Sequence, residues 1–180
     1  MRMTTTDEDL ATQAASGDGA AFGVLLDRHY DRLFAFCFRL TGSRADAEDL
    51  TQDICAALPA KLRSYSGRAK VTTWLYRVAV NAAHDRRRKH ATYARATAGW
   101  GNWEIGRTAD AAEDADKSDW LVGAMATLTD DLRDTLALIL DDATHAQAAE
   151  VLGVSEGTIS WRMSEAKKRL KSHRMQEDAE

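Results

Sequence analysis

The amino-acid sequence predicts an all-α protein built from two small helical domains that are joined by a flexible linker. The chain is rich in Ala, Leu, Arg, Asp and Glu, most of which favour helix, and its single proline and 11 glycines permit long uninterrupted helices. Apolar residues recur every three or four positions in two regions, whereas residues 89–118 between them lose this spacing. A length of 180 residues accommodates two small domains.

The first domain is predicted over residues 20–90 and starts with a long amphipathic helix. Apolar residues at helical spacing cover residues 22–40. A Thr-Gly-Ser segment at 41–43 ends this helix, and Ser43 or Asp46 can cap the next one with a side-chain oxygen.

The remainder of the first domain is predicted to contain an interrupted helix, a loop and a third helix. Pro59 should break or kink the second helix, because proline lacks the N–H donor and clashes with the preceding turn. Residues 63–70 contain Ser and Gly and are predicted to form a loop, which a helix from about Val71 to Arg88 follows. We expect residues 1–19 to be an N-terminal tail.

A linker over residues 91–119 is predicted to lead into the second domain. It holds Trp100 and Trp103, which either dock on another surface or pack back on the first domain. Helical spacing resumes at residue 120 and defines four short helices up to residue 174. Residues 175–180 are predicted to be a C-terminal tail.

The segment 144–170 has the pattern of a helix-turn-helix. Gly153 can adopt the left-handed conformation that ends a helix, Val154 can fill the gap between two helices, and Ser155 is a good N-cap for the second. That second helix would enter the major groove of DNA, although a helical hairpin for protein contacts has the same outline. The residues predicted to face DNA are Ser155, Thr158, Ser160, Trp161, Arg162, Lys167 and Lys168.

Residues 65–90 interleave aromatic and basic side chains along one loop and one helix. Aromatic faces beside cations suit unstacked bases, so this combination indicates melted or single-stranded DNA. A tryptophan such as Trp74, taken alone, is more often a core residue than a stacking platform. The basic and aromatic members of the set are Tyr65, Arg68, Lys70, Trp74, Tyr76, Arg77 and residues 86–89.

Charge is segregated along the chain, although the net charge is only −4. Residues 61–107 carry 11 basic and two acidic side chains, whereas residues 108–160 carry two basic and 12 acidic ones. Basic segments in an otherwise acidic chain indicate contacts with a polyanion. The acidic segments require another explanation, such as a basic protein partner or protection against indiscriminate DNA binding.

Several other functions lack the sequence features they need. No apolar run approaches the ~20 residues that span a bilayer, and the polar start of the chain lacks the pattern of a signal peptide, so we expect a cytoplasmic protein. Cys37 and Cys55 lack further ligands at zinc-site spacing and are interpreted as free, buried thiols. No motif places a nucleophile beside a base. We expect no catalysis, metal, cofactor or small-molecule substrate.

Three stretches together resemble one protein family. Residues 40–54 (LTGSRADAEDLTQDI), 72–89 (TTWLYRVAVNAAHDRRRK) and 152–170 (LGVSEGTISWRMSEAKKRL) are similar to the extracytoplasmic-function (ECF) group of the sigma-70 family. The resemblance implies a sigma-2-like domain over residues 20–90 and a sigma-4-like domain over residues 120–174. It also implies a linker that threads through RNA polymerase.

The same resemblance implies roles for individual residues. One set would dock on the clamp helices of the largest polymerase subunit: Asp46, Glu48, Asp49, Leu50, Gln52 and Asp53. A second set would recognise and open the minus-10 element: Arg68, Lys70, Thr72, Trp74, Arg77, Asn81, Arg86, Arg87 and Arg88. The helix-turn-helix residues would recognise the minus-35 element. The implied partners are the polymerase core, including its flap, promoter DNA and an anti-sigma factor.

Some residues depart from the family pattern, and an alternative function remains. Ser160, Trp161 and Glu165 stand where family members often have a basic, a small polar and a basic residue. A conventional helix-turn-helix regulator with an N-terminal sensor domain would bind an operator tightly by itself, usually as a dimer. The absence of an obvious dimerisation helix and the aromatic-basic segment argue against this alternative.

Overall fold

The computed structural model describes residues 5–97, 120, 123–125 and 127–177, and all regular structure in this part of the chain is helical. The predicted all-α fold is confirmed. The helices are α1 (Asp7–Ala15), α2 (Gly19–Thr41), α3 (Arg44–Leu62), α4 (Val71–Thr97), α5 (Asp130–Leu140), α6 (His145–Leu152) and α7 (Glu156–Glu177). Residues 123–125 are also helical. Trp100 and Trp103 lie outside the described residues.

Helix α1 lies within residues 1–19, which the sequence predicted to be an N-terminal tail, so that prediction is wrong for residues 7–15. The Thr6 side chain caps the helix by accepting a hydrogen bond from the backbone N–H of Asp9. Leu10 and Ala11 are buried against the helices of the first domain. Two adjacent buried positions in a helix of nine residues are too few to produce a recognisable apolar spacing.

Helices α2 and α3 are joined by the tight turn that the sequence predicted. Gly42 adopts a left-handed conformation with φ of 70°, and the Ser43 side chain accepts from the backbone N–H of Asp46. Pro59 was predicted to break or kink α3. The predicted break does not occur, because α3 continues through Pro59 to Leu62. Leu58 and Leu62, on either side of Pro59, are buried, and burial of each side chain stabilises the fold by about 1.5–3 kcal/mol. Together they offset the ~3 kcal/mol cost of an interior proline.

Helix α4 begins where predicted but extends well beyond Arg88, its predicted end. It runs to Thr97, which is seven residues into the predicted linker. Residues 89–97 contain no glycine or proline and include three alanines, so nothing in this stretch stops a helix. Residues 89–93 and 95 are exposed to solvent, so no buried face produces an apolar periodicity that would have revealed this part of the helix.

The second domain ends in the predicted helix-turn-helix. Thr144 and Gln147 form a reciprocal capping box at the start of α6, and Gly153 ends that helix with φ of 66°. The Ser155 hydroxyl then accepts from the backbone N–H of Thr158 and caps α7. Ile159 is fully buried behind this turn and fixes α7 against α5 and α6.

The two domains pack against each other. Helices α2 and α4 of the first domain contact α5 and α6 of the second, and buried residues of both domains form one hydrophobic cluster. No helix in the described part of the chain combines the length and apolarity required for a membrane span.

Candidate polymerase and nucleic-acid interfaces

Helix α3 presents a row of carboxylates to solvent. The side chains of Asp49 and Asp53 are 66% and 76% exposed, and those of Asp46 and Glu48 are about half exposed. Leu50, which the sequence placed in the same set, is buried in the core, so it supports the helix from beneath. Helix α3 therefore offers an acidic face to a basic partner. Gln52 is also exposed on α3.

Arg86 links this acidic face to helix α4. Its Nη2 atom lies 3.1 Å from an oxygen of Asp46 and 3.1 Å from an oxygen of Asp49, and its Nη1 atom lies 3.8 Å from Asp53. The sequence assigned Arg86 to DNA binding, yet in this structure its guanidinium neutralises the carboxylates of α3. The residue thus connects the two candidate interfaces.

The start of α4 and the loop before it carry the predicted strand-binding residues. Arg68, Lys70 and Asn81 are exposed, and Thr72 is partly exposed. Trp74 is partly buried, and its ring packs 5.4 Å from that of Tyr65, centroid to centroid. The Tyr65 hydroxyl donates to the carbonyl of Ala69 at 2.7 Å, a hydrogen bond within the loop. Trp74 therefore contributes to both the core and the surface.

Other basic residues of α4 are engaged by the second domain. The Nη2 atom of Arg77 donates to the carbonyl of Glu150 at 3.0 Å and lies 3.2 Å from its carboxylate. Arg87 lies 2.8 Å from both Asp130 and Asp134. Arg88, in contrast, is 80% exposed and pairs with Asp85 on its own helix. The predicted minus-10 set is thus partly open and partly covered.

Asp141 is the centre of a second contact between the domains. Its carboxylate accepts hydrogen bonds from Arg32 and Arg39, each at 2.8 Å, and from the Tyr76 hydroxyl. Burial acts to raise the pKa of Asp141, but the hydrogen bonds from these three residues outweigh it and hold the pKa below its ordinary value. The carboxylate therefore stays ionised within the interface.

The recognition helix α7 exposes fewer residues than the sequence predicted. Trp161 is 64% exposed, and Ser160, Lys167 and Lys168 are also on the surface. Arg162 instead folds back onto α5, where it donates to Asp131 at 2.9 Å and is only 13% exposed. Ser160 lies 3.2 Å from the ring of His145, between their side-chain Oγ and Nδ1 atoms. Ser155 and Thr158 bond to each other at the helix start.

The domain contacts were the features that sequence reasoning missed. The partners of Asp134, Asp141 and Glu150 were not anticipated. The sequence feature that pointed to these contacts was the opposite charge of residues 61–107 and 108–160. Opposite charge permits ion pairs between the two segments but does not specify which residues form them.

Reactive side chains outside these surfaces are sparse. Cys37 and Cys55 are free, and burial raises the pKa of the Cys37 thiol to about 11, which keeps it protonated. Among the described residues, no group of three or more His, Cys, Asp and Glu side chains is arranged to hold a metal ion.

His84 should make stability depend on pH. Its hydrogen bond to Asp134, at 2.6 Å, raises its pKa above the ordinary 6.5; Asp130 acts in the same direction, while burial and Arg87 oppose it. The stabilisation is fully present below pH 6.5 and is lost as the pH rises through the raised pKa. Thermal unfolding at several pH values should therefore show the advantage of the wild type over His84→Gln shrinking above pH 6.5. A constant difference between the two proteins would contradict this role.

Comparison with known proteins matches both domains. Residues 25–93 match the family model for Sigma-70 region 2, and residues 118–170 match that for Sigma-70, region 4. The chain is 27% identical over 166 residues to the ECF RNA polymerase sigma factor SigM of Mycobacterium tuberculosis, covering 92% of this chain and 83% of that one. It is 35% identical over 77 residues to SigW of Bacillus subtilis, covering 43% of this chain and 41% of that one.

Two solved structures have a similar arrangement of helices. The sigma factor RpoE of Bartonella quintana, solved with the anti-sigma factor NepR, superposes with a TM-score of 0.69 and 26% identity, over 84% of this chain and 94% of that one. CnrH, solved with the cytosolic domain of CnrY, superposes with a TM-score of 0.68 over 92% of this chain and 95% of that one. At 24% identity, the second comparison supports the fold alone.

Proposed function

The chain belongs to the ECF group of the sigma-70 family, and we propose that it directs bacterial core RNA polymerase to specific promoters and nucleates DNA melting there. The observation that carries the proposal is the match to regions 2 and 4, in that order, on a chain whose two domains present suitable surfaces. Sigma factors act as initiation factors, and the polymerase supplies the catalysis. The proposal therefore assigns no catalytic residue to this chain.

Each candidate surface has a partner in this proposal. The acidic face of α3 would dock on the clamp helices of the largest subunit, with Asp49 and Asp53 as its most exposed carboxylates. The loop before α4 and the first turns of α4 would hold the melted minus-10 strand, and α7 would enter the major groove at the minus-35 element. In this assignment residues 20–90 and 120–174 act as the two promoter-binding domains.

An anti-sigma factor is the regulatory partner that we propose. The similar sigma factor RpoE of Bartonella quintana was solved with such a protein, NepR. A masking partner would need to cover surfaces that the polymerase also uses, and the exposed acidic face of α3 is one that a basic protein would fit.

Run-off transcription is the direct test. Purified chain is added to bacterial core polymerase on promoter fragments from the source genome, with core alone as the control. Transcripts that require the chain would support the proposal. The absence of such transcripts, together with tight, salt-sensitive operator binding by the chain alone, would instead favour a conventional helix-turn-helix regulator.

Trp161 should determine part of the minus-35 specificity. Its exposed indole is an apolar surface on the recognition helix, and apolar side chains in the major groove contact the methyl group of thymine. Trp161→Ala should lower chain-dependent transcription roughly tenfold, the usual effect of losing a base contact. Met175→Ala is the matched control, because Met175 is 65% exposed farther along the same helix.

The thymine contact itself can be tested on the DNA. Replacing minus-35 thymines one at a time with deoxyuridine removes only the methyl group. At one position this change should reduce transcription by the wild-type chain about fourfold, because burying one methyl group contributes about 0.8 kcal/mol. The same change should leave transcription by the Trp161→Ala chain unaffected. Equal losses in both chains would show that another residue makes the contact.

A further inference from the structure

We propose that His145 is a specificity-determining residue of the helix-turn-helix, because it fixes the direction in which the hydroxyl of Ser160 forms hydrogen bonds. With His145 in place, Ser160 would recognise a base amino group, which cytosine and adenine present in the major groove. This inference rests on the proposed function, since α7 must read the minus-35 element for the choice to matter. His145 was not among the residues predicted to face DNA.

Ser160 is available for base recognition, unlike the other polar residues predicted at the start of α7. Ser155 and Thr158 bond to each other at 2.9 Å, and the Ser155 hydroxyl also accepts from the Thr158 backbone N–H, so both side chains are committed to the helix cap. Arg162 is held by Asp131 on α5. Ser160 is exposed in the N-terminal part of the helix, which is the part of a recognition helix that contacts base edges.

The imidazole of His145 lies against this hydroxyl. Its Nδ1 atom is 3.2 Å from the Oγ atom of Ser160, although the two residues are 15 positions apart and belong to different helices. Both side chains are exposed. Family members often have a basic side chain at the position of Ser160. Here a hydroxyl and an imidazole nitrogen from the preceding helix share that part of the surface.

The position of His145 on α6 determines which ring nitrogen carries the proton. In a helix-turn-helix the first helix crosses the DNA backbone while the second enters the groove. His145 is in the first turn of α6, so its outer nitrogen, Nε2, would meet phosphate oxygens, which only accept hydrogen bonds. A neutral imidazole has one N–H donor and one acceptor nitrogen. With the proton on Nε2, Nδ1 accepts, and the Ser160 hydroxyl donates its hydrogen to Nδ1.

A hydroxyl that donates to Nδ1 can only accept from DNA. It therefore suits the N4 amino group of cytosine and the N6 amino group of adenine, whereas guanine and thymine present acceptors there. A serine without this neighbour can rotate its hydroxyl and either donate or accept, so it discriminates little between bases. His145 thus acts through Ser160, as a positioning residue that converts an adaptable hydroxyl into a selective one.

The experiment measures base preference in run-off transcription with core polymerase. Each minus-35 position of a promoter that the chain transcribes is changed in turn to every other base. The wild type is compared with His145→Ala and Ser160→Ala. His90→Ala is the matched control, because it removes an exposed imidazole from α4, in the other domain. Circular dichroism verifies that each variant keeps the helix content of the wild type.

His145→Asp separates the orientation of the hydroxyl from the contact with the backbone. A carboxylate only accepts, so it would hold the Ser160 hydroxyl in the same orientation as Nδ1 does. Its negative charge would at the same time weaken binding to the DNA backbone. An acidic residue in the first turn of a helix is favourable, so α6 should tolerate the change.

We expect the wild type to prefer cytosine or adenine over guanine or thymine at one minus-35 position by about fivefold, the effect of one neutral hydrogen bond. His145→Ala and Ser160→Ala should each reduce that preference to less than about twofold, because a freely rotating or absent hydroxyl discriminates little. His145→Asp should lower the yield from every template but keep the preference. His90→Ala should keep the preference as well.

Three outcomes would overturn the inference. The first is an unchanged base preference in His145→Ala, and the second is a wild-type preference for guanine or thymine at the position that Ser160→Ala affects. The third is an equal loss of preference in His145→Asp and His145→Ala, which would mean that the imidazole itself reads the base. Absence of any chain-dependent transcript would overturn the proposed function and this inference with it, whereas transcription with an unchanged preference overturns the inference alone.

Discussion

Reversing the charge of Asp49 and Asp53 on α3 is expected to weaken binding to core polymerase by about 100-fold, with a matching loss of chain-dependent transcription. The two carboxylates are one helical turn apart and are the most exposed of the acidic row. In the Asp49→Arg/Asp53→Arg variant, two basic groups would face the basic surface proposed for the clamp helices, and such like-charge contacts cost several kcal/mol. Competition binding with labelled core polymerase, alongside run-off transcription, measures both effects.

Asp27→Arg/Asp31→Arg is the control that separates a specific surface from net charge. These residues are also one turn apart and exposed, but they lie on α2. This variant should bind core within about twofold of the wild type, while carrying the same change in net charge. Equal weakening by both variants would contradict the assignment of α3. Because exposed ion pairs contribute about 0–1 kcal/mol, loss of the Arg86 contacts should leave the thermal unfolding of the test variant nearly unchanged.

The parts of this fold that the sequence predicted are those specified by local chemistry. Gly42 and Ser43 mark one helix junction, and Gly153 and Ser155 mark the other, because each residue satisfies its own backbone requirement without distant partners. Helix α1 was missed since its stability comes from burying Leu10 and Ala11 on a surface that other helices create. Local patterns do not record such a surface.

The candidate sites divide in the same way. The family resemblance identified the acids of α3, whereas helical spacing identified the exposed Trp161 of α7, since exposure on a helix follows from periodicity. The engagement of Arg77 and Arg87 could not be predicted, because their partners lie 73 and 47 residues away in the chain. Asp141 is 65 residues from Tyr76 and 109 from Arg32. Segregated charge predicts attraction between two regions but not which atoms meet.

Phe36→Ala is expected to lower the free energy of unfolding by about 3–5 kcal/mol, the usual cost of removing a buried phenylalanine. Phe36 is fully buried, and its ring centroid lies 4.9 Å from that of Tyr76. The Tyr76 hydroxyl binds Asp141, so the cavity would open directly beneath the contact between the domains. Urea unfolding followed by circular dichroism measures the loss of unfolding free energy. Small-angle X-ray scattering in the absence of urea shows whether the folded chain keeps its two domains in contact.

Two control variants distinguish packing from the hydrogen bond that the packing supports. Tyr30→Ala removes an aromatic ring from the same helix at a 43% exposed position, and it should change the free energy of unfolding by less than about 0.5 kcal/mol. Tyr76→Phe keeps the ring against Phe36 but deletes the hydroxyl, and it should cost about 1–3 kcal/mol because Asp141 loses one donor. A loss in Phe36→Ala no larger than in Tyr76→Phe would mean that the ring acts only by positioning the hydroxyl. A larger loss of unfolding free energy, with the two domains still in contact, would mean that Arg32 and Arg39 hold Asp141 without support from the packing of Phe36 on Tyr76.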